Sequence, residues 1–184
     1  MNIFVLNYDP QPAARDMCDK HVVKMIVESA QMLSTAHRVI DGEQYTELSA
    51  NNRRIKRWKS PYMLMEDMLY KASFVGHPCT KWVMENDKNY YWLVEHAYEL
   101  CKEYTRRYGK VHKSEDLITL IRFRKPANIA IADSITPFAQ AMPEEYKNPN
   151  AVKAYRAYYL GEKTGFAAWN YSETPSWFKE KIYA

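Results

Sequence analysis

Apolar positions along most of the chain recur at spacings of three and four, the spacing of a helix face. Between Ala13 and Arg38, residues Val22, Met25, Ile26, Ser29, Leu33 and Ala36 fall on one face, and Asp41-Gly42 stops the pattern. Ahead of it, the apolar run Ile3 to Leu6 reads as a short strand or an extended arm. Asp9-Pro10-Gln11-Pro12 ends that run as a loop, because proline disfavours helix in the residue before it. Residues 43–60 show no apolar period and read as polar, basic and irregular. A helix is expected from Tyr62 to Phe74, closed by Gly76-His77-Pro78. Thr80 to Tyr108 reads as one long helix with Gly109 as its C-terminal stop. Ser114 is placed to cap a helix that runs to Phe123, with Glu115 and Asp116 in the first turn where the dipole favours acids. Residues 124–147 are mixed. Asn148-Pro149 starts a further helix to Leu160, and the aromatic tail Glu173 to Lys179 reads as a loop. Only 5 glycines occur in 184 residues, too few for the frequent turns of an all-β fold. The expectation is one mainly helical, all-α domain over residues 1–184, with a short extended N-terminal arm.

Composition narrows the class. At 47% hydrophobic and 26% charged, the chain has ordinary globular usage, and its length suffices to bury a core without disulfide or metal staples. No run approaches the ~20 apolar residues of a membrane span. Met1-Asn2-Ile3-Phe4-Val5-Leu6 has neither the basic region nor the long apolar core of a signal peptide. A cytoplasmic protein with no membrane partner is expected. Cys18, Cys79 and Cys101 are odd in number and widely spaced, which gives no disulfide framework. A net charge of +4 permits nucleic-acid binding without demanding it. The aromatic fraction of 14% suits base stacking and a helical core equally.

Four groups of residues carry candidate chemistry. On the N-terminal helix, at about 100° per residue, Glu28 falls about 20° from His21, two turns on along the edge of the apolar stripe. A carboxylate there is partly desolvated and suited to acid–base work; the plain alternative is a surface acid beside a cation such as Lys20 or Lys24. Second, Cys18-Asp19-Lys20-His21 and His77-Pro78-Cys79 together hold four possible zinc ligands. Their spacing matches no trusted zinc motif, and cysteine is often a small buried hydrophobe. No metal or other cofactor is expected. Third, Arg53, Arg54, Lys56 and Arg57 lie in an acid-free stretch around Trp58, and Arg106, Arg107, Lys110, Lys113, Arg122, Arg124 and Lys125 form further basic clusters. Such cations contact phosphates if they share a face; otherwise they are solvated loops. Fourth are the aromatics: Trp82, Tyr90, Tyr91 and Trp92 on the long helix, and Trp177-Phe178 with Lys179 after Pro175.

In order along the chain, these residues resemble the phage pyrimidine-dimer DNA glycosylases of the endonuclease V type. Asp19-Lys20-His21 followed seven residues on by Glu28 resembles that family's Asp-Gln-His and its catalytic glutamate. Gly76-His77 resembles a Gly-His pair ahead of a long helix. Met142-Pro143-Glu144-Glu145-Tyr146 resembles an Ile-Pro-Gln-Glu-Phe stretch. Pro175-Ser176-Trp177-Phe178-Lys179 and Lys181-Ile182-Tyr183-Ala184 resemble Pro-Thr-Trp-Tyr-Lys and Lys-Ala-Ile-Tyr-Ala. The resemblance implies a compact helical fold whose arm crosses between helices. It also implies a free N-terminal amine that attacks C1′ of the damaged nucleotide with help from the glutamate.

Several positions depart from the family pattern. Asn2 is too large for routine methionine excision, which puts Met1 where the family has a threonine amine. Asp9–Ala14 lengthens the arm, residues 43–60 are an addition, and Val27 and Gln31 stand where the family has arginines. By this resemblance Glu28, His21, His77 and Met1 are the catalytic candidates. Lys20, Lys24, Arg53, Arg54, Lys56, Arg57, Lys81, Trp177, Phe178 and Lys179 are the nucleic-acid-binding ones.

The reading that follows is a glycosylase-like enzyme acting on a damaged or modified pyrimidine in double-stranded DNA. Such an enzyme takes the base out of the stack, and an amine nucleophile would add Schiff-base lyase chemistry. Two alternatives stand beside it. One is a phage enzyme that substitutes a group, such as an amino acid, on a hypermodified thymine. The other is a non-catalytic DNA- or partner-binding protein.

Overall fold

The computed structural model describes residues 1–182. It is mainly helical, as the spacing of apolar residues predicts, with eight α-helices and a single two-stranded sheet among the described residues. The helices are α1 (Pro10–Arg15), α2 (Asp19–Asp41), α3 (Met63–Met68), α4 (Pro78–Glu85), α5 (Asp87–Tyr108), α6 (Glu115–Arg122), α7 (Ala151–Glu162) and α8 (Ser176–Ile182). Strands β1 (Glu43–Leu48) and β2 (Arg54–Lys59) pair antiparallel between α2 and α3. The closing residues Tyr183-Ala184, part of the family-like tail, lie outside the described residues.

The core forms where α2 packs on α5, with α1, α4 and α6 against the same pair. Val22, Met25, Ile26, Leu33 and Ala36 of α2 meet Leu93, Val94, Ala97 and Leu100 of α5, all essentially without solvent contact. The N-terminal run is an extended arm that enters this core. Ile3, Val5 and Leu6 are fully buried, and Phe4 takes a left-handed backbone angle of φ 39° to fit.

Several element boundaries differ from the sequence reading, each for a local reason. Pro10-Gln11-Pro12 opens α1 instead of lying in a loop. Pro10 sits where a missing N–H costs nothing, and the Asp9 side chain accepts from the Gln11 N–H at 3.0 Å. The helix expected from Ala13 breaks between Arg15 and Asp19, where the fully buried Arg107 side chain takes up loose ends: it donates to the carbonyls of Arg15 and Met17 and to Asp19. The long helix expected from Thr80 is two helices. Asn86 turns extended and its side chain caps α5 by accepting from the Asn89 N–H at 3.0 Å. Gly109 closes α5 as expected, at φ 63°.

Ser114 does not cap α6 with its side chain; its hydroxyl pairs with the Tyr70 hydroxyl at 2.9 Å. α7 is capped by Asn150, not Asn148, and the aromatic tail is helix α8. Residues 43–60 are a hairpin, not an irregular loop. Its base is fixed by Arg38, only 4% exposed, whose guanidinium donates to the carbonyls of Trp58, Glu66, Leu69 and Tyr70 and to the Glu66 carboxylate. α3 stops at Met68, and N–H groups that would extend it toward Phe74 are bonded to α2 instead: Tyr70 N–H donates to Ser34 Oγ and Ser73 N–H to Thr35 Oγ1. Gly42 is required at the hairpin's entry, since a Cβ there would meet the carbonyl oxygens of Arg38 and Lys59.

Candidate active site

The arm brings the chain's first nitrogen to the N-terminal half of α2. Asn2 anchors it. The Asn2 side chain donates from Nδ2 to the Ala141 carbonyl at 2.9 Å, and its Oδ1 accepts from the backbone N–H groups of Ile3 and Phe4. With the side chain so engaged, the backbone N–H of Asn2 donates to Glu28 Oε2 at 3.0 Å. The α-amine of Met1 stands 3.8 Å from the same oxygen. The other oxygen, Oε1, lies 3.3 Å from Lys24 Nζ, one turn earlier on α2. Glu28 retains 14% side-chain exposure and is flanked by two cations and a fixed amide.

His77 completes this group. It caps α4, its Nδ1 accepting from the Cys79 N–H at 3.2 Å, which leaves the proton of a neutral ring on Nε2. Burial lowers its pKa, the positive N-terminus lowers it further, and Glu28 pulls it back up. His77 is therefore held toward its neutral form and shares a field with both Met1 and Glu28. Cys79 beside it is inert, its thiol pushed up to about 11 chiefly by burial.

His21 is placed differently from its helix neighbour Glu28. It lies about 10 Å earlier along α2, at ~1.5 Å per residue, inside an aromatic box. Its ring stacks on Phe4 at 4.6 Å, meets Tyr159 and Phe166 edge-on, and its Nδ1 lies 2.6 Å from the Tyr159 hydroxyl. Burial, then Lys163 and Lys24, depress its pKa to about 4. His21 thus fixes the arm through Phe4. No sequence pattern signals the partner roles of Phe4 and Tyr159 or the anchoring by Asn2, because each depends on residues distant in the chain.

The remaining candidates scatter. Lys20 is exposed with its ammonium 5.4 Å from the Phe166 ring centre. Lys81 is exposed on α4, one turn beyond His77. Trp177 and Phe178 turn inward and do not offer their faces to solvent as a stacking pair. Trp177 donates to Asp16 and packs on Tyr159, and Phe178 is 3% exposed against Trp169. Lys179 beside them is exposed. Arg53, Arg54, Lys56 and Arg57 lie on the hairpin, Arg57 in an ion pair with Glu47 at 2.6 Å. Other basic residues are consumed internally: Arg107 as described, Arg106 by Glu103 and Arg122 by Glu95. The Cys18/His21 and His77/Cys79 pairs do not converge, and no group of three metal-binding side chains occurs among the described residues. No helix among them is long and apolar enough to cross a membrane.

A family model described as pyrimidine dimer DNA glycosylase matches residues 1–116, which contain the arm, Glu28, the hairpin and His77. Neither a curated protein nor a solved structure matches the chain.

Proposed function

The chain belongs to the pyrimidine dimer DNA glycosylase family, and we propose that it acts on a damaged or modified pyrimidine in duplex DNA through the α-amine of Met1 and the carboxylate of Glu28. The observation that carries this reading is the 3.8 Å approach of that amine to Glu28 Oε2 at the edge of the core.

The proposed steps use these groups in turn. The amine nitrogen attacks C1′ of the target nucleotide. The C1′–base bond breaks, and its electron pair leaves with the base, which takes up a proton. Glu28 accepts the proton that the attacking amine sheds, and its negative charge faces the positive charge that develops at C1′. Ring opening of the sugar then gives an imine between the former amine and C1′, the species from which β-elimination of the 3′ phosphate proceeds. Asn2 holds the arm so that the amine has one position, which replaces a search through conformations with a fixed approach. His77, held toward its neutral form with Nδ1 in the α4 cap, offers its Nε2 N–H as a hydrogen-bond donor to the leaving base. Exposed Lys24 and Lys81 flank the group and supply phosphate contacts, with Arg53, Arg54 and Lys56 reaching the duplex from the hairpin.

The experiment is borohydride trapping on duplex DNA carrying a pyrimidine dimer. Wild type is expected to form a covalent protein–DNA adduct. One residue added ahead of Met1 is expected to abolish it. Glu28→Gln is expected to keep the fold and DNA affinity while slowing base release by ~10²–10⁴-fold, the usual loss of a general acid–base group. Full activity in Glu28→Gln would end this reading. Turnover of a modified thymine that needs Glu28 but yields no adduct would point instead to a substitution enzyme on the same scaffold.

A further inference from the structure

We infer that the hairpin is a DNA-facing ribbon with one working face, the face that carries Arg54 and Lys56. This rests on the family's action on DNA, and it assigns a surface that the residue types alone leave ambiguous.

The register divides the ribbon's charges. Gln44 pairs with Trp58, Thr46 with Lys56 and Leu48 with Arg54. Side chains directly opposite in an antiparallel pair share a face, so that face holds two cations and no acid. The alternate pairs are Glu43 with Lys59, Tyr45 with Arg57 and Glu47 with Ile55. This second face turns toward the body, where Tyr45 and Arg57 line a cavity with Arg38, Glu66 and Lys71; of the first face only the half-buried Trp58, at the base, reaches it. Its cations are answered. Arg57 pairs with Glu47. Glu47 sits below its ordinary pKa, first through that bond and further through Lys71. Lys59 acts on Glu66. The first face is open: Gln44, Thr46, Leu48, Arg54 and Lys56 are all exposed.

The ribbon is also held firmly enough to present that face. A lone two-stranded hairpin is marginal in water, but this one is tied at its base. Trp58 accepts from the buried Arg38 at 2.9 Å, and the Ser60 N–H donates to Glu66 at 2.7 Å. Its outer turn, Ser49 to Arg53, is closed by the Arg53 N–H to Ser49 Oγ and by Asn52 at φ 55°. Six residues of strand reach about 20 Å from the base at ~3.4 Å each, and a two-stranded ribbon is of a size to enter the major groove. Arg54 and Lys56, two residues apart on one strand, stand about 7 Å apart along it. The occupant that complements an acid-free cationic face on a protein of this family is the phosphate backbone of duplex DNA.

Two double variants with the same charge change separate the faces. Duplex affinity is measured by fluorescence anisotropy as a function of salt for wild type, for Arg54→Gln with Lys56→Gln, and for Arg57→Gln with Lys59→Gln. Each phosphate contact contributes about −0.9 to the log–log salt slope. The first pair is expected to reduce the slope by about 1.8 and the second to leave it unchanged. Thr46→Glu, an exposed single change opposite Lys56, is expected to weaken binding in the same direction without touching the hairpin's anchors. Circular dichroism checks that each variant keeps the fold. Equal losses from both pairs would overturn the assignment to one face, and so would no loss from the first pair and from Thr46→Glu. A wild type with no salt-dependent duplex affinity at all would instead overturn the DNA reading on which the assignment rests.

Discussion

Lowering the pH from about 8 to about 5 should destabilise this fold through three histidines. His21 and His37 are depressed to about 4 and His96 to about 3. Burial is the first cause for each. Lys163 and Lys24 push His21 further down, while Asp41 and the Arg124 backbone partly oppose the shift at His37. An unfolded histidine titrates near ~6.5. Below that value the unfolded chain binds protons that the folded chain refuses, so stability falls as the pH falls. The loss grows until the folded pKa is reached. At about pH 5 each histidine removes about 2 kcal/mol, and the three together about 6 kcal/mol, a large part of the ~5–15 kcal/mol that a domain has. Against the opposing effect of burial, Glu66 is held below its ordinary value by the Ser60 N–H and then Arg38, and Glu103 by Arg106 and Arg107; both add their own loss only at lower pH.

The assay is urea denaturation followed by tryptophan fluorescence across that range, with His96→Leu as the diagnostic variant. Neither ring nitrogen of His96 has a hydrogen-bond partner among the described residues, and the ring stacks on Trp92 at 5.0 Å. Removing it should take away about a third of the acid-induced loss. It should also raise stability near pH 8 by about 1–3 kcal/mol, the cost of leaving buried polar groups unpaired. A stability that stays flat from about pH 8 to pH 5, or a His96→Leu variant with the wild-type pH slope, would refute the argument.

Other outcomes follow from the buried clamps and thiols. Arg38→Met should cost about 1–3 kcal/mol in urea denaturation, the usual result of leaving buried backbone carbonyls without their donor. It should also lower the proteolytic resistance of residues 43–60, since the hairpin loses its tie at Trp58. Arg107→Met should cost more, about 3–5 kcal/mol, through the freed Asp19 and Glu103. Cys18, Cys79 and Cys101 are all buried, so a thiol reagent at about pH 8 should label none in the folded protein and all three on unfolding. Labelling of Cys79 in the native state would mean the arm leaves its groove.

How far the sequence disclosed the fold depended on how one-sided each element is. α2 and α5 are apolar along one stripe, and their periodicity located them. The hairpin is not one-sided: Tyr45 and Leu48 point to opposite faces, and Arg57 lies on the face nearer the body. No alternation of apolar and polar positions was there to read. The break at Asn86 had a signal, since Asn86-Asp87 is a good helix start, but the aromatic spacing on either side concealed it. α8 likewise carried Pro175-Ser176 as a starting signal, masked by the expectation of a loop.

The candidate site divided along the same physical line. Glu28 was legible because a carboxylate at the edge of an apolar stripe is visible on a helical wheel. The same wheel put His21 beside it, yet the arm separates them: Phe4 covers His21 and Asn2 reaches Glu28. Charge was the least informative feature, and the structure gives the reason. Of the arginines that suggested a nucleic-acid surface, Arg107 is spent on backbone carbonyls and acids in the core, and Arg57, Arg106 and Arg122 are each matched to a glutamate. A net charge of +4 counts these equally with the cations that face outward. On the hairpin, what distinguishes a cation free to meet phosphate is the absence of a carboxylate on its own face of the ladder. By that measure Arg54 and Lys56 qualify where Arg57, one residue on in the same strand, does not.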